Sequence, residues 1–110
     1  SSGTLSAPGS TGTFNVSGDW TNNGGTFTAG LGTVTFNGAS PQTIGGTTST
    51  TYHSLTFTNA GLKTIGVPTT VNAGIIVNAS ANVLVTSTLQ VTGDVVNDGV
   101  LTNDGTITVN

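Results

Sequence analysis

The chain has 110 residues, 5% of them charged, and a net charge of −3 from four Asp against Lys63. A lone cation can neutralise neither a phosphate backbone nor an anionic bilayer, and no apolar run nears the roughly 18 residues of a span, which excludes nucleic acid and membrane insertion. With no Cys, disulfides, thiol catalysis and cysteine zinc sites are excluded too.

Neutral polar residues fill the gap: 24 Thr, 11 Asn and 10 Ser stand beside 17 Gly. Thr suits a pleated strand, whereas Gly and Asn suit corners. No helical period is visible anywhere, and one Lys with no Arg, Glu or Met leaves few helix formers. There is neither an initiator Met nor a signal peptide, so a processed or excerpted chain is expected.

Residues 1–12 are rich in Ser, Gly and Thr, include Leu5 and Pro8, and read as a flexible arm or one that orders on a neighbour. Alternation then begins. Gly12-Thr13-Phe14-Asn15-Val16-Ser17-Gly18 matches Gly32-Thr33-Val34-Thr35-Phe36-Asn37-Gly38 at an offset of twenty. The stretch Val34 to Gly45 returns as Leu55 to Gly66, each copy ending in Thr-Ile-Gly. A period near twenty made of strands and corners specifies a coiled sheet, so Phe14, Val16, Val34, Phe36, Ile44, Leu55, Phe57 and Ile65 are expected inside. Thr13, Thr35 and Thr56 are expected outside, since strand neighbours face opposite sides.

Two stretches resist this register. Thr47 to Tyr52 lacks apolar partners and reads as a bulging loop, with Tyr52 covering the end of the apolar column and His53 beside it on the surface. Pro68 is expected at a corner or strand start, because it cannot donate to a ladder. Downstream, Val71, Leu89 and Ile107 lie eighteen apart, with Val91 and Val109 as further core positions. Three sides of about six residues each give a triangular section. Phe14-Asn15-Val16-Ser17-Gly18-Asp19 is also echoed by Leu89-Gln90-Val91-Thr92-Gly93-Asp94.

No motif carries catalysis. His53 has no Ser or Asp in triad-like context, and the chain offers no paired acids of the kind that glycosidases need. Calcium is considered at Asn97-Asp98-Gly99 and Asn103-Asp104-Gly105, but the nonapeptide calcium roll is absent. Those residues read as corners that bond their own backbone, and no cofactor is expected. Asn15-Val16-Ser17 and Asn78-Ala79-Ser80 match the glycosylation tripeptide, which chance supplies often in such a composition. Thr-x-Thr pairs (Thr26/Thr28, Thr33/Thr35, Thr56/Thr58, Thr86/Thr88, Thr106/Thr108) suggest an alternative function, an ice- or glycan-binding flat face.

Phe14 to Thr28, continued by Gly32 to Gly38 and Gln42 to Gly45, resembles the β-solenoid repeats of very long secreted surface proteins of Bacteroidota and similar bacteria, with adhesin or filamentous-haemagglutinin-like character. The resemblance implies a right-handed parallel β-helix on the cell exterior and carries no catalytic residues.

The fold expected is therefore all-β: a single parallel β-helix or β-solenoid of about six short turns over residues 13–110, after the arm of residues 1–12. No capping helix or charged lid shows in Gly105 to Asn110, so the ends are expected to meet something. The partners expected are a second copy stacked head to tail, or neighbouring repeats of a longer chain, with surface glycans as a further partner. Leu5, Phe14, Val16, Ile107 and Val109 are the expected polymer interface of an extracellular filament subunit or adhesin stalk, which is not an enzyme.

Overall fold

The computed structural model describes residues 4–6 and 12–110. Among these there is no helix, and every ladder is parallel. The chain coils through three faces in turn. The first face carries β2 (Thr13–Val16), β5 (Thr33–Phe36), the far half of β7 (Thr50–Phe57), the far half of β9 (Thr69–Val77) and β12 (Asp94–Asn97). The second carries β3 (Trp20–Asn22), β6 (Gln42–Gly46), β8 (Leu62–Ile65), β10 (Asn82–Val85) and β13 (Val100–Asn103). The third carries β1 (Thr4–Ser6), β4 (Thr26–Thr28), the near halves of β7 and β9, β11 (Thr88–Val91) and β14 (Thr106–Val109). It is a β-solenoid.

The inward set follows the expected ladder at its heart. Phe14 pairs with Val34 and Val34 with Leu55, Val16 with Phe36 and Phe36 with Phe57, and Ile44 with Ile65. Val34, Phe36, Ile44, Leu55, Phe57, Ile65, Val71, Leu89 and Val91 are all buried. A single turn cannot hide such a strip, and stacking turns makes it continuous.

The described residues make about five turns rather than six. Val71 pairs with Val91 twenty residues on, whereas Leu89 pairs with Ile107 eighteen on, so the three do not form one ladder. All three belong to the third face, and the fourth and fifth turns begin at Ile75 and Val95 on the first. The late spacing shrinks because the corner between the first and second faces shortens from four residues, 78–81, to two, Asp98-Gly99. The echo between Phe14 and Leu89 likewise joins different faces.

The expected loop at Thr47 to Tyr52 is corrected from Thr50 onward. Thr50 to Tyr52 open β7, which bends from the third face to the first with a register shift between Tyr52 and Ser54. Tyr52 lies within the column, paired with Val71 of the next turn, and does not cover its end. Thr50 is buried despite its hydroxyl because that oxygen accepts from Trp20 Nε1 at 3.3 Å and Asn22 Nδ2 at 3.1 Å. Pro68 immediately precedes β9, at the corner its missing amide requires. Of the expected arm, residues 1–3 and 7–11 lie outside the described residues, while Thr4–Ser6 pairs with Thr26–Thr28 as β1.

Candidate functional site

The column differs at its two ends. All six aromatic residues of the chain form one cluster at the N-terminal end. Phe14, Trp20 and Phe27 make the first layer, in edge contacts with centroids 4.9 to 6.5 Å apart. Beneath them Trp20 reaches Tyr52 at 5.5 Å, and Phe36 stacks on Phe57 at 5.6 Å. The opposite end is aliphatic. Val95, Leu101 and Ile107 pack on the core from the last turn but stay partly exposed. Val109 pairs with buried Val91 and so sits on the inward row, yet it is 53% exposed because no turn lies over it.

The residues expected at the interface thus divide between the ends. Phe14 and Val16 are half-buried at one, and Ile107 and Val109 stand at the other. Leu5 stands opposite Phe27 in the β1 ladder, and its side chain lies outside the described ones. Trp20, Phe27, Val95 and Leu101 complete the two surfaces and were not among the expected interface residues. A signal existed: Val95 follows Ile75 by twenty residues, and Leu101 follows Val83 by eighteen.

Polar side chains enter the column only where a corner needs them. Asn22 Oδ1 accepts from the amides of Gly24 and Gly25, while its Nδ2 reaches Thr50. Gln42 Nε2 donates to the carbonyls of Val16 and Gly18 at 2.9 and 2.6 Å, and its Oε1 accepts from the Gly38 amide. Lys63 occupies the next rung above Gln42. Its ammonium donates to the carbonyls of Gly38 and Gly61 at 2.7 Å each and of Asn59 at 3.3 Å. Lys63 is only 1% exposed, and burial pulls its pKa below the ordinary lysine range. The three carbonyls hold the proton against that pull. The rung above is Val83, where Ala81 bonds back to Asn78 and the corner closes without a cation.

The outer faces offer little chemistry. Among the described residues no group of three or more His, Asp or Glu lies together. Asn97 and Asn103 accept from the amides of Gly99 and Gly105 two residues on, as corner residues do. His53 sits half-buried at the bend of β7. A shallow groove of about 410 Å³ crosses the first face, floored at Gly74 and walled by exposed Ile76 and Val96, with Asp94 its one titratable group. The Thr pairs divide between faces: Thr33, Thr35 and Thr56 lie on the first, and Thr26, Thr28, Thr106 and Thr108 on the third. One outward row of the third face reads Thr51, Thr70, Gln90, Thr108.

Fold and site together define a class, a short three-faced parallel β-solenoid with an apolar column reaching both of its ends. Comparison with protein-family models, with curated proteins and with solved structures finds no match.

Proposed function

We propose that this chain is a structural element of an extracellular filament or adhesin stalk, in which β-solenoids continue one another end to end. The continuing unit is either a second copy stacked head to tail or neighbouring turns of a longer chain. The observation that carries this reading is the pair of half-buried inward layers, Phe14, Trp20 and Phe27 at one end and Val95, Leu101 and Ile107 at the other. Continuing the coil would bury both layers and pair the open strand edges. Such a contact is heterologous, and its product is a fibre rather than a closed oligomer. The role is non-enzymatic and needs no cofactor. The exterior location rests on the resemblance of Phe14 to Gly45 to surface-protein repeats.

Sedimentation velocity and electron microscopy over a wide concentration range test the copy-on-copy form. Filaments that lengthen with concentration are expected, and compact monomers at every concentration would remove it.

A second reading, ice or glycan binding, draws on the row Thr51, Thr70, Thr108. Gln90 interrupts that row, and Pro68 stands where Thr88 and Thr106 stand in later turns. Thermal hysteresis together with a glycan-binding measurement tests it. Nulls in both would end it.

A further inference from the structure

We propose that the outer edge of β4 is the acceptor for strand β14 of a second copy, and that β1 is the resident strand holding that edge in the monomer. This rests on the end-to-end reading above and adds how that junction is controlled.

The argument is topological. Each turn lays one strand on each face, paired in parallel with the strand of the turn before, except that β4 packs beside the near half of β7 without a ladder and pairs only with β1. The first and second faces begin at β2 and β3, but the third begins one layer earlier, at β1. A complete preceding turn would supply strands to all three faces, and among the described residues β1 supplies one. When the last turn of a second copy is laid on the first turn of this chain, β12 meets β2 and β13 meets β3. On the third face β14 then arrives at the edge of β4 that β1 already occupies. Both strands cannot pair there.

The sequences of the two strands agree with this competition. Thr4-Leu5-Ser6 repeats the hydroxyl–aliphatic–hydroxyl pattern of Thr106-Ile107-Thr108. In its ladder Leu5 stands opposite Phe27, as Ile107 stands opposite Leu89. Strand β14 has four residues against three in β1, so it spans the three-residue edge of β4 in full, as β1 does. Stacking is therefore a strand exchange, in which release of β1 frees the junction. Parallel strand addition draws its affinity from main-chain hydrogen bonds and its selectivity from alternate side chains.

Two full-length variants test this. Leu5→Asp replaces the apolar residue that stands opposite Phe27 in the β1 ladder by a carboxylate, and is expected to weaken β1 docking. The double variant Thr4→Cys/Thr26→Cys joins cross-strand partners whose Cα atoms stand one ladder spacing apart, within disulfide reach, and so locks β1 when oxidised. Two readouts are taken: assembly by light scattering, and binding at assembly-free dilution of a labelled peptide copying Asn103–Asn110. Leu5→Asp is expected to lower the critical concentration and the peptide Kd by about tenfold. The oxidised lock is expected to do neither until it is reduced. A lock that assembles and binds peptide like the unsubstituted chain overturns the proposal, as does a Leu5→Asp chain that loses both properties. If peptide binding follows the lock but no chain ever assembles, the β4 acceptor edge stands and the fibre reading falls.

Discussion

Lys63 and Gln42 occupy successive rungs and meet the same need, inward-turned backbone at the corner between the first and second faces. A carbonyl buried without a donor is costly, so the side chain at this rung is set by the corner above and below it. Replacing Lys63 by Met removes donors from three carbonyls. A loss of about 2 kcal/mol in urea unfolding is expected, since hydrogen bonds to charged groups are worth roughly 1.5–3 kcal/mol and part of the charge's own desolvation cost is recovered. Tyr52 is the opposite case. Its hydroxyl is buried with no hydrogen-bond partner among protein groups, and the Thr50 hydroxyl tempers its environment without closing a bond of good geometry. Tyr52→Phe is therefore expected to raise stability by about 1 kcal/mol, the low end of the cost of an orphaned buried group.

Both groups also leave a signature in alkaline pH. The Lys63 pKa is depressed by burial, so just below the ordinary value of 10.5 the unfolded chain binds more protons than the folded one. Stability from this group therefore rises with pH in that window. Burial pushes the Tyr52 phenol well above its ordinary 10.0, so its term is intact below pH 10.0 and is lost as pH rises beyond. In a Tyr52→Phe background the melting temperature is expected to climb as pH rises toward 10.5, and Lys63→Met should flatten the climb.

At the scale of elements, the solenoid depends on corners tight enough to hold the strand layers at ladder spacing. Gly93 shows how narrow the tolerance is. It turns from β11 to β12 at φ +128°, and a β-carbon there would run into the carbonyl oxygen of Ala73 in the turn beneath. Gly93→Ala is expected to cost at least about 2 kcal/mol, because side chains are disfavoured at that backbone angle and the contact is with rigid backbone. Thermal melting followed by circular dichroism measures it. The neighbouring corners leading into turns three and four use no positive-φ residue, because β7 and β9 run through them as bent strands of eight and nine residues.

At the scale of the whole molecule, an aromatic end faces an aliphatic one, and neither is sealed by the described residues. Ile107→Asp places a charge on the half-buried aliphatic layer. It is expected to lower stability by about 1–2 kcal/mol, since Ile107 packs in part on the core, and to raise the critical concentration for assembly at least about tenfold. Analytical ultracentrifugation of the variant beside the unsubstituted chain reads both. An unchanged critical concentration would mean that the last turn is not a junction.

Alternation and the recurrence of Thr-Ile-Gly determined a parallel coil with Val34, Phe36 and Ile44 over Leu55, Phe57 and Ile65, since period-two burial depends on the order of residues alone. The turn count did not follow from the sequence. Offsets of twenty and eighteen both bring apolar residues together, and only backbone pairing decides that Val71 lies under Val91. Thr50 and Lys63 look like surface residues in a one-dimensional pattern, yet they are buried, because the donors to Thr50 and one of the three carbonyls at Lys63, that of Gly38, come from residues more than twenty positions away. The same holds for the ends. That Trp20 and Phe27 join Phe14 in one layer, and that β1 takes the place of a preceding strand, are decided by the stacking of distant turns.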